Sequence, residues 1–144
     1  MKKILIATHG NLADGFKSSI HVLAGKPCDI QTINAYVDEN CTDYSKQISD
    51  FIQSVESEDE AVIFTDLMGG SVNQKVCQLC MQTTKHIHIV TGVNLMCILG
   101  ILLESRPLDE AVLQEIVESS VVSLVQLQIK NDEISSDDEQ DFLS

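Results

Sequence analysis

Two uninterrupted apolar runs constrain this chain more than any other feature: Ile4-Leu5-Ile6-Ala7 and Ala61-Val62-Ile63-Phe64. A strand with one wet face alternates apolar and polar residues. A strand that is apolar at every position is buried on both faces, as in a parallel sheet covered by helices on each side. The first run stops at Thr8-His9-Gly10 and the third strand stops at Thr65-Asp66, each followed by a helix-compatible segment. Both breaks fall at the carboxyl ends of strands, where open α/β sheets bind their ligands.

The rest of the chain repeats the pattern. A helix is predicted from Leu12 to Leu23, with Leu12, Phe16, Ile20 and Leu23 towards one face, closed by Gly25 and Pro27. Asp29 to Tyr36 reads as a second strand near a sheet edge. After a loop around Val37 to Asn40 comes a helix from Asp43 to Val55 with Tyr44, Ile48, Phe51, Ile52 and Val55 in the core. Val72 to Thr83 is a third helix, with Val76, Leu79 and Cys80 facing inward, and Ile87 to Thr91 a fourth strand. Asn94 is placed to cap the apolar helix Leu95 to Glu104, which is expected to be buried all round or partly against another subunit. Leu108 to Ser120 is the last helix.

Val125, Leu127 and Ile129 then alternate with Gln126, Gln128 and Lys130, the mark of a strand buried on one face only. The expected fold is α/β: a doubly wound, mainly parallel four-stranded sheet of order 2-1-3-4, helices on both faces, and a C-terminal edge strand. One domain is expected over 1–130. Residues 131–144, with six acids between Asp132 and Ser144, are expected to form a flexible tail.

Composition narrows the function. A net charge of −13 offers nothing to neutralise phosphates in bulk, which argues against nucleic acid. No apolar stretch approaches the ~20 residues of a membrane span and no secretory signal is visible, so the chain is expected in the cytoplasm. Five scattered cysteines fit reduced thiols better than a disulfide framework. Cys77-x-x-Cys80 lies inside a helix with no second ligand pair. His86 and His88 share a strand face and read as surface residues.

In the 2-1-3-4 order the chain reverses direction between strands one and three, so His9 and Asp66 should lie side by side in the crevice. A carboxylate that accepts the Nδ1 proton fixes the imidazole tautomer and leaves Nε2 free as a nucleophile. Gly69-Gly70-Ser71 lets the backbone turn into a helix start, whose free amides and the Ser71 hydroxyl suit a phosphoryl dianion. Together these imply phosphoryl transfer through phosphohistidine, with no metal and no cofactor.

Ile-Ala-Thr-His-Gly at 6–10, Thr-Asp-Leu-Met-Gly-Gly-Ser at 65–71 and Thr-Gly-Val-Asn at 91–94 resemble the mannose-family IIA component of the bacterial phosphoenolpyruvate:sugar phosphotransferase system. The resemblance covers roughly residues 1 to 130. It implies a phosphotransferase component in which His9 accepts phosphate on Nε2 from phospho-HPr and passes it to a IIB histidine. Asp66 is then the hydrogen-bond partner of His9, and Gly70 and Ser71 bind the phosphoryl group. It further implies a homodimer that exchanges the Leu124–Lys130 strand, and contact with the membrane only through the IIC/IID permease. That permease, not IIA, chooses among hexoses, amino sugars, sugar acids and polyols. No IIB domain follows within these residues, so IIB is expected as a separate chain or in a longer form of the protein. Leu67 departs from members with Thr at that position, so no hydroxyl role is carried there.

Two other readings compete. A non-transferring sensor module would keep the same crevice. A histidine phosphatase would place Arg before the histidine, where Thr8 stands here.

Overall fold

The computed structural model describes residues 1–37 and 43–128. Four parallel strands, β1 (Lys2–His9), β2 (Ile30–Ala35), β3 (Glu60–Thr65) and β4 (Ile87–Val90), form one sheet in the order β2-β1-β3-β4. The five helices among the described residues are α1 (Leu12–Ala24), α2 (Ser45–Ser54), α3 (Ser71–Cys80), α4 (Leu95–Leu102) and α5 (Glu110–Ser119). The sheet order and the mixed helix–strand alternation agree with the reading of the apolar runs.

Successive strand residues point to opposite faces, and this divides the core in two. Ile4, Ile6, Val62 and Phe64 pack with Ile20 of α1, Ile98 and Ile101 of α4 and Leu113 and Ile116 of α5. Leu5, Ala7, Ala61 and Ile63 pack with Ile48 and Phe51 of α2 and Val72 and Val76 of α3. Helix α1 leads from β1 outward to β2, whereas α2 and α3 serve connections running the other way across the sheet. Right-handed crossovers in opposite directions put their helices on opposite faces. The reversal occurs at β1 and β3, and the crevice opens above their carboxyl ends.

The single chain differs from three expectations. In α1 the buried residues are Ala13 and Ile20, with Phe16 packed against them, while Leu12 and Leu23 are exposed. The inward stripe runs 13-16-20, and Leu12 is turned toward the crevice rim. Of the two expectations for helix α4, burial all round does not hold within the single chain: Cys97, Ile98, Ile101 and Leu102 are inside, and Met96 and Leu103 face solvent. Residues 121–128 leave α5 as exposed chain without strand structure. A one-faced strand needs a neighbour to take its hydrogen bonds, and among the described residues this segment has none. Residues 129 and 130 of the expected strand, the tail 131–144 and the loop residues 38–42 lie outside the described residues.

Ends of helices are tied by side chains the sequence suggested and by some it did not. Asn94 accepts from the Cys97 amide at 2.8 Å, capping α4 as expected, and its amide group also donates to the Ser120 carbonyl at 2.7 Å. It thus joins the start of α4 to the end of α5. The Lys2 ammonium donates to the carbonyls of Leu102 and Glu104, placing a cation at the negative end of α4. Asn94→Ala should lower stability by about 1–3 kcal/mol, as both a cap and a part-buried tie are removed. Urea unfolding followed by circular dichroism checks this; a loss below about 0.5 kcal/mol would mean water replaces both bonds.

Candidate functional site

Register decides what meets at the crevice. Ala7 lies opposite Thr65 across the β1–β3 ladder, so the residues that follow, on one side His9 and on the other Asp66, emerge together. Thr8 and Thr65 are fully buried beneath them. The Thr8 hydroxyl accepts from the Ala13 amide at 2.8 Å and so caps the first turn of α1. The Thr65 hydroxyl lies 2.8 Å from Asn73 Oδ1 on α3 and 2.7 Å from the Thr91 hydroxyl after β4. Both threonines therefore lock the loops that carry the site to the sheet.

Asp66 grips His9 twice. Its Oδ2 accepts from the His9 backbone amide at 2.9 Å and lies 3.0 Å from His9 Nδ1, with Oδ1 at 3.3 Å. Burial pushes the Asp66 carboxyl up. The bonds from the His9 amide and ring, and the ring's positive charge when it is protonated, outweigh it and hold the carboxyl below its usual range. An ionised carboxylate only accepts, so Nδ1 carries the proton and Nε2 of the neutral ring has a free lone pair.

That Nε2 points at Ser71, whose Oγ is 3.2 Å away. Ser71 is the first residue of α3, where the opening amides have no partner within the helix and the helix dipole is positive. Gly69 adopts a left-handed φ of +74° to turn the chain into this start. Gly70 supplies room: a Cβ there would come within 3.2 Å of Leu67 and 3.4 Å of His9 Cε1. Its own amide donates to the Leu67 carbonyl at 3.1 Å. The helix-start amides without a backbone partner therefore begin at Ser71.

Reading the sequence gave Tyr36 no part in the site. It directly follows Ala35, the β2 residue paired with His9 at the end of β1, and stacks on the His9 ring with centroids 5.6 Å apart and planes at 22°. Its hydroxyl donates to Ser71 Oγ at 3.0 Å and lies 3.4 Å from that of Tyr44. Position alone could have found it, since β2 ends at the same sheet edge. Tyr44, expected only as core, is buried, and burial pushes its phenol up to about 12. Beside this group opens a cavity of about 470 Å³ bordered by Tyr36, Ser45, Ser71, Gln74 and Lys75.

The remaining candidates lie elsewhere. His86 and His88 stack edge to face at a 4.5 Å centroid distance near α5, away from His9 along the strand direction. Cys77 and Cys80 are free thiols, as are Cys28 and Cys97, while Cys41 lies outside the described residues. Burial, with Cys77 beside it, raises the Cys80 thiol to about 11, which works against a thiolate. Among the described residues no three His, Cys, Asp or Glu side chains are grouped to hold a metal ion.

Comparison with known proteins gives the family. The family model described as PTS system fructose IIA component, of the mannose type, matches residues 3–121. The chain belongs to that family. A IIA component from Streptococcus agalactiae shares 29% identity over 85% of this chain and 97% of its own, with a TM-score of 0.70. A phosphotransferase-system permease protein from Klebsiella pneumoniae shares 29% over 81% and 84%, with a TM-score of 0.71. The mannose/sorbose IIA subunit of Enterococcus faecalis shares the fold, with a TM-score of 0.74 at 18% identity over 90% of this chain and 100% of its own. This IIA component is therefore part of a sugar phosphotransferase system, on the four-stranded sheet of its relatives.

The ionised Asp66 gives the IIA domain a pH signature. Its folded-state value is lowered, so its stabilisation is present above the unfolded carboxyl value of about 3.9 and lost as pH falls from there through the folded value. Asp66→Asn should be less stable by about 1–3 kcal/mol at neutral pH, and the gap should close on acidification below about pH 4. Paired urea titrations across that range check it; a gap that persists in acid would detach the stabilisation from the charge.

Proposed function

We propose that this chain is a phosphohistidine carrier: His9 takes a phosphoryl group from phospho-HPr on Nε2 and delivers it to a IIB component. The observation that carries the reading is the Asp66 grip on Nδ1 at 3.0 Å, which leaves Nε2 directed at Ser71 and the amino end of α3. Family membership supports the same chemistry.

In the forward step the Nε2 lone pair forms the N–P bond as the bond from phosphorus to the donor nitrogen breaks, its electron pair returning to the donor. The Nδ1 proton stays on His9, and Asp66 balances the positive charge that the ring acquires. The transferring group places its charge on three equatorial oxygens, for which the Ser71 hydroxyl and the opening amides of α3 are donors already in place. Transfer to IIB reverses these events. No metal or cofactor takes part.

A protein donor must bring its histidine to His9, whose side chain is 37% exposed. Leu12, Val37, Leu67 and Met68, all at the crevice end of the sheet, are exposed apolar residues suited to such a contact. Leu67, 59% exposed, fits this rim role. The reading places the protein in the cytoplasm, and no described helix is long and apolar enough to cross a membrane.

Incubation with phosphoenolpyruvate, enzyme I, HPr and magnesium should add one acid-labile phosphoryl group, read by intact mass. His9→Ala should remove it and retain the fold. Asp66→Asn should slow it roughly 10–100-fold, the worth of a charge-assisted hydrogen bond. Unlabelled wild-type protein with a competent donor would favour the sensor module instead.

The domain over 1–130 is further assigned as a homodimer through exchange of the 124–130 segment. Support comes from the alternating sequence and from Leu124, Val125 and Leu127, each more than two-thirds exposed in the single chain. Val125→Glu with Leu127→Glu should convert a dimer to a monomer in sedimentation velocity; a monomeric wild type would overturn the assignment.

A further inference from the structure

The site holds a chain of hydrogen bonds whose direction is set from one end. Asp66, ionised, can only accept, so His9 Nδ1 donates to it. In the neutral ring Nε2 must then accept, and the neighbour within reach is Ser71 Oγ at 3.2 Å. Ser71 has one proton, and giving it to Nε2 leaves its oxygen only as an acceptor. The Tyr36 hydroxyl, 3.0 Å from that oxygen, therefore donates, and Tyr44, 3.4 Å from Tyr36, stands behind it as donor. All the bonds run one way, from Tyr44 through Tyr36, Ser71 and His9 to Asp66. A directed chain of this kind polarises each member in turn.

Tyr36 is held in this place against its backbone preference. Its φ is +66°, and it is the one non-glycine residue with positive φ among those described. A bulky aromatic in the left-handed region is strained and persists where its surroundings over-determine it. Here those surroundings are the His9 ring stacked on it, the Tyr44 ring packed edge-on at 5.8 Å and the Ser71 bond.

We propose that Tyr36 is a positioning residue for phosphoryl transfer: its hydroxyl donates to Ser71 and so commits the Ser71 proton to Nε2 before transfer and to a phosphoryl oxygen afterwards. The inference rests on the carrier reading of His9. When the N–P bond forms, the Nε2 lone pair is consumed, and the Ser71 proton swings to a phosphoryl oxygen while Ser71 keeps accepting from Tyr36. No proton leaves the chain in the process. The stacked ring meanwhile holds the imidazole plane in line with Ser71.

Two measurements test this. Rapid-quench transfer from phospho-HPr is compared for wild type, Tyr36→Phe, Ser71→Ala and the double variant. Tyr36→Phe keeps the ring stack and should slow transfer roughly 2–10-fold, the effect of one neutral hydrogen bond. Because it acts through Ser71, the double variant should be no slower than Ser71→Ala alone. Wild-type speed in Tyr36→Phe, or a double variant slower by the full product of the two factors, would overturn the proposal.

The second measurement needs no donor: the ¹⁵N resonance of His9 Nε2 in the unphosphorylated protein. It should move in Tyr36→Phe toward the position of an unbonded ring nitrogen, while Nδ1 remains protonated. An unmoved Nε2 resonance would also overturn the proposal. If wild type takes no phosphoryl group, the carrier reading fails by itself, and the resonance still decides whether Tyr36 governs Ser71.

Discussion

The site depends on a single acceptor. Asp66 holds the His9 main chain and the His9 ring with the same oxygen, so backbone position and ring tautomer are set together. Two short bonds to one charged group leave the imidazole little freedom in tilt, and the direction of every further bond in the site follows from the carboxylate's inability to donate. Had the residue after β3 been neutral, Nδ1 could have been either donor or acceptor, and neither Nε2 nor Ser71 would have had a defined role.

That acceptor is useful because the sheet delivers it. The β1–β3 ladder is buried on both faces and stapled at its end by Thr8 and Thr65, so the crevice floor is packed and cross-tied. The chemistry stands on this floor, while the rim is made of helix starts and loops with exposed Leu12, Leu67 and Met68. A held imidazole nitrogen under an exposed apolar rim fits the proposed carrier, which would meet a donor and an acceptor protein in turn. In the carrier reading, the dipole of α3 and the turn at Gly69-Gly70 complete the anion site beside the imidazole.

Much of this could be read before any coordinates. Unbroken apolar runs at 4–7 and 61–64 imply central parallel strands, and their breaks at His9 and Asp66 imply the pair. Asn94 announced itself as a cap. Helical periodicity sets Leu12 and Leu23 beside Ile20, yet both are exposed; the inward stripe begins at Ala13, a small residue that carries little periodic signal. Tyr36 was passed over because a tyrosine ending an edge strand carries no distinguishing spacing. Its part in the site comes from a left-handed turn that brings its ring over His9, and propensity argues against that turn.

By itself, then, the amino-acid sequence determined the layers, the strand order and the meeting of His9 with Asp66. Those follow from local periodicity and from the handedness of crossovers, which act on segments a few residues long. Tertiary structure alone decided that the Gly70 amide is taken by Leu67, and that Tyr36 and Tyr44 extend the chain of donors. Hydrogen-bond direction is a property of atoms brought together from β1, β2, β3 and α3, and no segment contains that information by itself.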